Sequence, residues 1–432
     1  MKTTTVAAGA SLATMPRLTG AFAGGDDVIK IGLVGCGGKG TRDVKQALAT
    51  NGKVKLWALG DAFEDKVKKS HDVLKKGKQT ADHVDCTDRL FHGFDAYKKV
   101  IDSGVDVVFL VTTPGFRPEH FDYAVEKGKH SFMQKPLAVD ARGCRKLLET
   151  NEIAKKKGLK VGVGFQRRHD PKYNEIIKRI QDGAVGDPVL FRAYWDGNTP
   201  WVRPREDGQT EMEYQMRNWY YFNWLCGDHI LEQHIHNMDV CNWVMHDEMP
   251  GFAQCKGGCE VRKGPDYGET FDHHQVEFVY STRWDSGAPR MYSSCRHIKN
   301  TWKQVGEYMH GTNGFAMISS GRLFDAKGEE IWRFDGGGNS EEIHKQSYLD
   351  AIRKNEEFNE CDRSTLSNMT AVLGRMATYS GQPLRGDQAM AKGLDVYPYG
   401  QDDWSWDKTP PVTPQENGLY KLPVPGTTKV LS

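Results

Sequence analysis

The sequence predicts an α/β protein in two lobes: an N-terminal doubly wound parallel sheet of the Rossmann kind, then an α/β domain built on an open, largely antiparallel sheet. Three observations lead there. A β-branched run ends in a glycine-rich turn that opens a helix, and apolar strands and amphipathic helices then alternate to about residue 165. Beyond that point the pattern shifts to longer strands joined by glycine turns. A chain of 432 residues also exceeds one small core and suits two.

The elements follow in order. Residues 1–24, within "MKTTTVAAGASLATMPRLTGAFAGGDD", combine a lysine, a small-residue apolar stretch and Ala21-Phe22-Ala23 as a cleavage site, which reads as an export signal. Its weak hydrophobicity fits the twin-arginine route into the periplasm, although no arginine pair precedes Lys2; the alternative is a disordered tail on a cytoplasmic protein. Residues 25–165 are read as an NAD-binding domain. In "VIKIGLVGCGGKGTRDVKQAL" a strand runs into Gly35-x-Gly37-x-x-Gly40 and a helix. Gly35 permits the tight turn, Gly37 lets the backbone approach a pyrophosphate, and Gly40 lets the helix pack on the strand with its positive end toward the phosphates. A second run, "KVKLWALG", ends at Asp61, about twenty residues on, where a carboxylate can hold the adenosine ribose. That acid repels a 2′-phosphate, so NAD is expected rather than NADP.

The alternation continues through "FDAYKKVIDSG" (helix), "VDVVFLVTTP" (strand), "RPEHFDYAVEKG" (helix), "KHSFM" (strand), "ARGCRKLLETNEIAKKKG" (helix) and "LKVGVGF" (strand). The pieces that follow the strands, Thr112-Thr113-Pro114 and Gln134-Lys135-Pro136, belong at the carboxyl edge of the sheet, where the nicotinamide half of a dinucleotide lies. Residues 166–385 supply the second domain, with strands in "DPVLFRAYW", "GFAQCKGGCEVR", "HHQVEFVYSTRW", "RMYSSCRHI" and "GFAMISSGRLF", and helices in "SEEIHKQSYLDAIRKN" and "LSNMTAVLGRMATYSG". Residues 386–432 form a Pro- and Trp-bearing tail expected to wrap the domains.

Composition narrows the function classes. With 58 Lys plus Arg against 57 Asp plus Glu there is no charge excess for a nucleic-acid backbone. No apolar run after the first residues approaches a membrane span. Nine cysteines, an odd number with scattered spacing, suggest buried thiols rather than a disulfide framework.

The run "VTTPGFRPEHFDYAVEKGKHSFMQKPLAVD" is similar to the Gfo/Idh/MocA oxidoreductases, named for glucose-fructose oxidoreductase and inositol dehydrogenase, in which a TP turn and a helix precede AGKHV-x-x-EKPL. "VGFQRRHDP" and "YLDAIRKNEE" resemble later segments of the same family. The resemblance implies that Lys135 touches both nicotinamide ribose and substrate, that Pro136 stiffens its turn, and that Arg168 lies near the cleft. It also implies a second-domain sheet that covers the cofactor and serves as a dimer or tetramer surface. One departure stands out: the family's Glu before the lysine is Gln134 here, which removes a negative charge beside Lys135.

In "GDHILEQHIHNMDV", at about 100° per residue, His229, Glu232, His236 and Asp239 share one face of a single helix while His234 points elsewhere. A helix face carrying so many titratable groups needs partners, since burying them alone costs several kcal/mol, of order 2–7 each. In the family an acid, three residues, a histidine, two residues and a further acid occupy this helix, and Glu232, His236 and Asp239 match it with Glu in place of Asp. His236 is the proton-transfer candidate, with Glu232 orienting it or binding a neighbouring hydroxyl. His229, Glu232 and His236 could instead hold a divalent metal such as zinc or manganese, or form only a solvated polar face. The preceding stretch crowds Trp201, Trp219, Tyr220, Tyr221 and Trp224 beside Arg203, Arg205 and Arg217, as a carbohydrate pocket would; an aromatic core under a long loop is the plainer explanation. Trp219, Tyr220, Arg168, His229 and Asp239 are the substrate-contact candidates.

Together these features point to an NAD-dependent oxidoreductase acting on a secondary hydroxyl of a sugar, glycoside or cyclitol. One alternative is an NAD-dependent glycoside hydrolase or lyase working through transient C3 oxidation and elimination; another, motivated by Gln134, is a noncatalytic NAD-holding sugar sensor.

Overall fold

The computed structural model describes residues 27–432, so the expected export signal lies outside the described residues. The first sheet is six-stranded and parallel, in the order β3-β2-β1-β4-β5-β6. Its strands are β1 (Ile29–Val34), β2 (Val54–Asp61), β3 (Leu90–His92), β4 (Val107–Leu110), β5 (His130–Met133) and β6 (Val161–Val163). The helices between them are α1 (Gly38–Leu48), α2 (Glu64–Lys76), α3 (Ala96–Asp102), α4 (Arg117–Glu126) and α5 (Ala141–Lys156). All four residues of β4 are buried, the mark of a central strand covered on both faces. The strand order reverses between β1 and β4, and such a switch point opens a crevice at the carboxyl ends.

The second sheet has nine strands, in the order β14-β13-β12-β11-β7-β10-β9-β8-β15. They are β7 (Pro188–Gly197), β8 (Phe252–Gly258), β9 (His273–Val279), β10 (Arg290–His297), β11 (Gln304–Gly311), β12 (Gly314–Met317), β13 (Arg322–Asp325), β14 (Glu330–Arg333) and β15 (Leu384–Arg385). Every neighbouring pair is antiparallel except β7 with β10. The helices of this part are α6 (Pro171–Gln181), α7 (Glu211–Arg217), α8 (Asn223–Cys226), α9 (His229–Glu232), α10 (Ile235–Val244), α11 (Ser340–Lys354), α12 (Cys361–Ser380) and α13 (Gly386–Lys392). Helix α12 is buried along almost its whole length, packed between α5 of the first lobe and β8 and β9 of the second. It fastens the two sheets to one core.

Two local expectations are corrected. "GFAMISSGRLF" is not one strand: Gly321 takes φ +65°, and β12 reverses there into β13. The stretch from His229 is not one helix either, because Gln233 leaves helical geometry (φ −125°, ψ −52°) and separates α9 from α10. Asp228 just before it, at φ 76° without being glycine, is held by five hydrogen bonds to its carboxylate, from the His229 backbone N–H and Nδ1, Phe271 N–H, His274 and the Tyr379 hydroxyl. The nine cysteines are free, seven buried and Cys255 and Cys259 half-buried.

Candidate active site

A cleft of about 1240 Å³ runs along the carboxyl ends of β1, β2 and β4 and between the two lobes. One end is built by the glycine turn. Gly35 has φ +101°, and a Cβ there would lie 2.5 Å from the carbonyl carbon of Val111, so the turn closes only with glycine. A Cβ on Gly40 would meet the Gly35 oxygen at 2.0 Å, which sets how closely α1 approaches the turn. Gly37 caps α1 with no side-chain bond and open space before it, leaving the first-turn N–H groups facing the cleft. Asp61 accepts from the Cys36 and Phe63 backbone N–H groups at 2.7 and 3.0 Å, one per carboxylate oxygen. Each oxygen keeps a lone pair for a sugar hydroxyl. Burial raises the Asp61 pKa, against the pull of Lys66 and those two N–H donors. This end therefore fits a dinucleotide whose adenosine ribose meets Asp61 and whose pyrophosphate meets α1.

The other end brings both lobes together. Thr112, Thr113 and Pro114 follow β4, and Gln134 and Lys135 follow β5; all line the cleft. Arg117, buried on α4, donates to the carbonyls of Thr112 and Pro136 and so ties these two strand ends to each other. Facing them are Glu232, Gln233 and His236, with Trp195, Trp201 and Trp219 along the wall. The Lys135 ammonium donates to the Glu232 carbonyl and lies 3.9 Å from its carboxylate. Burial raises the Glu232 carboxyl to about 7, opposed by Lys135 and Arg117. Burial lowers Lys135, opposed by Glu232. His236 is held well below the usual histidine value by burial and by the Lys135 and Arg167 charges, so it is a neutral imidazole. The Nδ1 of His236 and Oε1 of Glu232 are buried without a hydrogen-bond partner, an arrangement that costs stability unless a ligand completes it.

Gln134 has its own anchor: its amide donates to Asp43 at 2.8 Å, and Asp43 also meets the ammonium groups of Lys39 and Lys345. A glutamate at 134 would face Asp43 as a like charge, so the substitution agrees with its surroundings.

Four candidates do not line the cleft. Arg168 and Asp239 grip each other behind it through three hydrogen bonds of 2.8–3.1 Å, and Arg168 also reaches Asp247. The ring of His229 is turned to Asp228 at 2.7 Å, and Tyr220 is buried against Trp201, Trp219 and Tyr221. The split runs within each short helix: Glu232 and His236 face the cleft, while His229 of α9 turns to Asp228 and Asp239 of α10 turns to Arg168. The metal triad of His229, Glu232 and His236 is not assembled. Among the described residues, the ligand-type groups whose donor atoms lie within 4.8 Å of one another are Asp228 with His229 and His274, and His169 with His344 and Glu360. Sequence reading missed Arg117, Gln166, Trp195 and Gln233; only Trp195, an aromatic ending a strand motif, gave a signal.

Comparison with known proteins agrees with this geometry. Residues 29–165 match the model of an oxidoreductase family with an NAD-binding Rossmann fold, GFO_IDH_MocA. An inositol 2-dehydrogenase/D-chiro-inositol 3-dehydrogenase of Lactiplantibacillus plantarum is 26% identical over 221 residues, 51% of this chain and 53% of that one. The chain thus spans about half the length of the curated relatives it matches. In fold, the scyllo-inositol dehydrogenase of Lactobacillus casei, solved with NAD(H) and scyllo-inositol, superposes with a TM-score of 0.61 at 18% identity, over 84% of this chain and all of that one. The aldose-aldose oxidoreductase of Caulobacter crescentus, solved with glycerol, gives 0.63 at 17% identity, over 83% of this chain and all of that one. Residues 29–165 thus form the NAD-binding Rossmann domain of the Gfo/Idh/MocA oxidoreductase family.

Proposed function

We propose that the chain is an NAD-dependent oxidoreductase that oxidises a secondary hydroxyl of a cyclitol or sugar. The observation that carries this reading is the convergence of Lys135 from one lobe with Glu232 and His236 from the other, at the end of a cleft that starts on the glycine turn and Asp61. The relatives support it, since their names specify inositol dehydrogenases. Bound nicotinamide supplies the two-electron acceptor. The residues do the rest: the neutral imidazole of His236 accepts the hydroxyl proton, the Lys135 ammonium donates a hydrogen bond to the same oxygen, and Glu232 holds Lys135 in place. The wall of Trp195, Trp201 and Trp219 offers apolar faces to ring C–H groups and keeps water from the reacting carbon.

The test is nicotinamide reduction with a panel of inositols and aldoses. We expect turnover by the wild type, a loss of about a hundredfold or more in kcat for Lys135→Ala and for His236→Ala, and unchanged NAD affinity in the histidine variant. A His236→Ala enzyme with wild-type kcat would overturn the assignment.

A second reading, a redox-neutral glycosidase that oxidises and later re-reduces its substrate, is favoured by the C-terminal tail. Trp404 and Trp406 pack on Phe94, and Trp406 on Phe63, at the adenosine end of the cleft, where they would slow cofactor exchange. Release of aglycone from aryl glycosides without added NAD, and without accumulating NADH, separates the two.

A further inference from the structure

Gln233 lines the same cleft wall as Glu232 and His236, at the break between α9 and α10. Behind it runs a buried relay. Arg262 donates through Nη1 to the Thr270 hydroxyl at 2.8 Å and the Phe271 carbonyl at 2.5 Å, and presents Nη2 to Nδ1 of His297 at 2.8 Å. Nε2 of His297 meets Oε1 of Gln233 at 2.7 Å. Arg262 and His297 are 4% and 1% exposed, so neither turns freely.

The proton positions follow from the chemistry of the donors. A guanidinium has no lone pair to offer, so Nδ1 of His297 must accept. The ring then carries its hydrogen on Nε2 and donates to Gln233. An amide turned the other way would set two N–H groups against each other. The oxygen of Gln233 is therefore committed to His297, and its NH2 group is left to the cleft as a fixed donor.

We infer that Gln233 is a substrate-binding residue that donates to an oxygen on the carbon beside the one oxidised, so that the cleft selects compounds with vicinal oxygens, and that His297 and Arg262 are positioning residues that aim it. The inference rests on the reading of the cleft as a polyol dehydrogenase site, in which His236 takes the proton of the reacting hydroxyl. A donor on the same wall meets that hydroxyl's neighbour, and a site built to hydrogen-bond an oxygen discriminates against an analogue that lacks it.

The experiment uses the full-length protein with NAD and scyllo-inositol as substrate, and NADH fluorescence for cofactor affinity. We expect Gln233→Ala to raise KM about tenfold or more while kcat stays within about threefold, the pattern of lost uniform binding. NADH affinity should not change. His297→Phe should do the same, and the double variant should be no worse than Gln233→Ala alone, because both changes remove one donor. Wild-type KM in Gln233→Ala, or additive losses in the double variant, would overturn the inference while leaving Lys135 and His236 in their roles. A wild-type enzyme inert toward scyllo-inositol would overturn the vicinal-polyol class together with the reading beneath it.

Discussion

Lys135 and Glu232 share one electrostatic problem. Burial disfavours the charge of each, and each is the other's nearest remedy. Because the Glu232 carboxyl sits near 7, lowering the pH through that value protonates it and strips Lys135 of its counter-charge. We therefore expect kcat/KM to fall on the acid side of about pH 7, and Glu232→Gln to be slower but without that limb. An identical acid limb in both pH profiles would remove Glu232 from the pair. At this scale much was legible. Lys135 and His236 stand in stretches that resemble family motifs, and Asp61 ends a strand at the expected distance from the glycines. Gln233 was not legible, because its donor becomes directed only through His297 and Arg262, which lie 64 and 29 positions further along the chain and meet it through buried contacts.

Among the elements, the strand-turn-helix unit at the N-terminus is the most strictly determined. Gly40→Ala would press a methyl against the Gly35 carbonyl oxygen at 2.0 Å, a backbone atom that cannot swing aside as a side chain can. We expect a cost of about 1–3 kcal/mol in stability and weaker NADH binding, read by thermal unfolding and nicotinamide fluorescence. The α9 to α10 segment shows the opposite case. Its periodicity placed His229, Glu232, His236 and Asp239 on one face, yet the chain breaks after Glu232, where Asp228 and Gln233 find partners on β9, β10 and α12 and His229 turns back to Asp228. Asp239 then serves Arg168 and Ser367 rather than the cleft. Arg168 keeps its charge although burial opposes it, since Asp239 and Asp247 outweigh that penalty. Asp239→Ala should cost about 3–5 kcal/mol by leaving a buried guanidinium short of its main partner. Chemical denaturation would show that loss, and a variant as stable as the wild type would refute the pairing.

Across the whole molecule, the tail acts on both lobes. Trp406 packs on Phe63 and Phe94 of the first lobe, its carbonyl accepts from the Thr210 hydroxyl, and the Val412 carbonyl accepts from Gln215 in the second. Trp406→Ala should speed NADH dissociation several-fold with little change in kcat, which stopped-flow fluorescence can measure. By itself the sequence determined the class of both sheets, the glycine turn and the place of Asp61 at the end of its strand, because these depend on short-range spacing and on conformations that few residue types can adopt, while a family resemblance pointed to Lys135 and His236. Only the tertiary structure decided which titratable groups face the cleft and which are paired behind it, where α9 ends, and how the tail spans the lobes. Those outcomes depend on partners far apart in the chain, whose approach is settled by packing and by the cost of leaving a buried polar group alone.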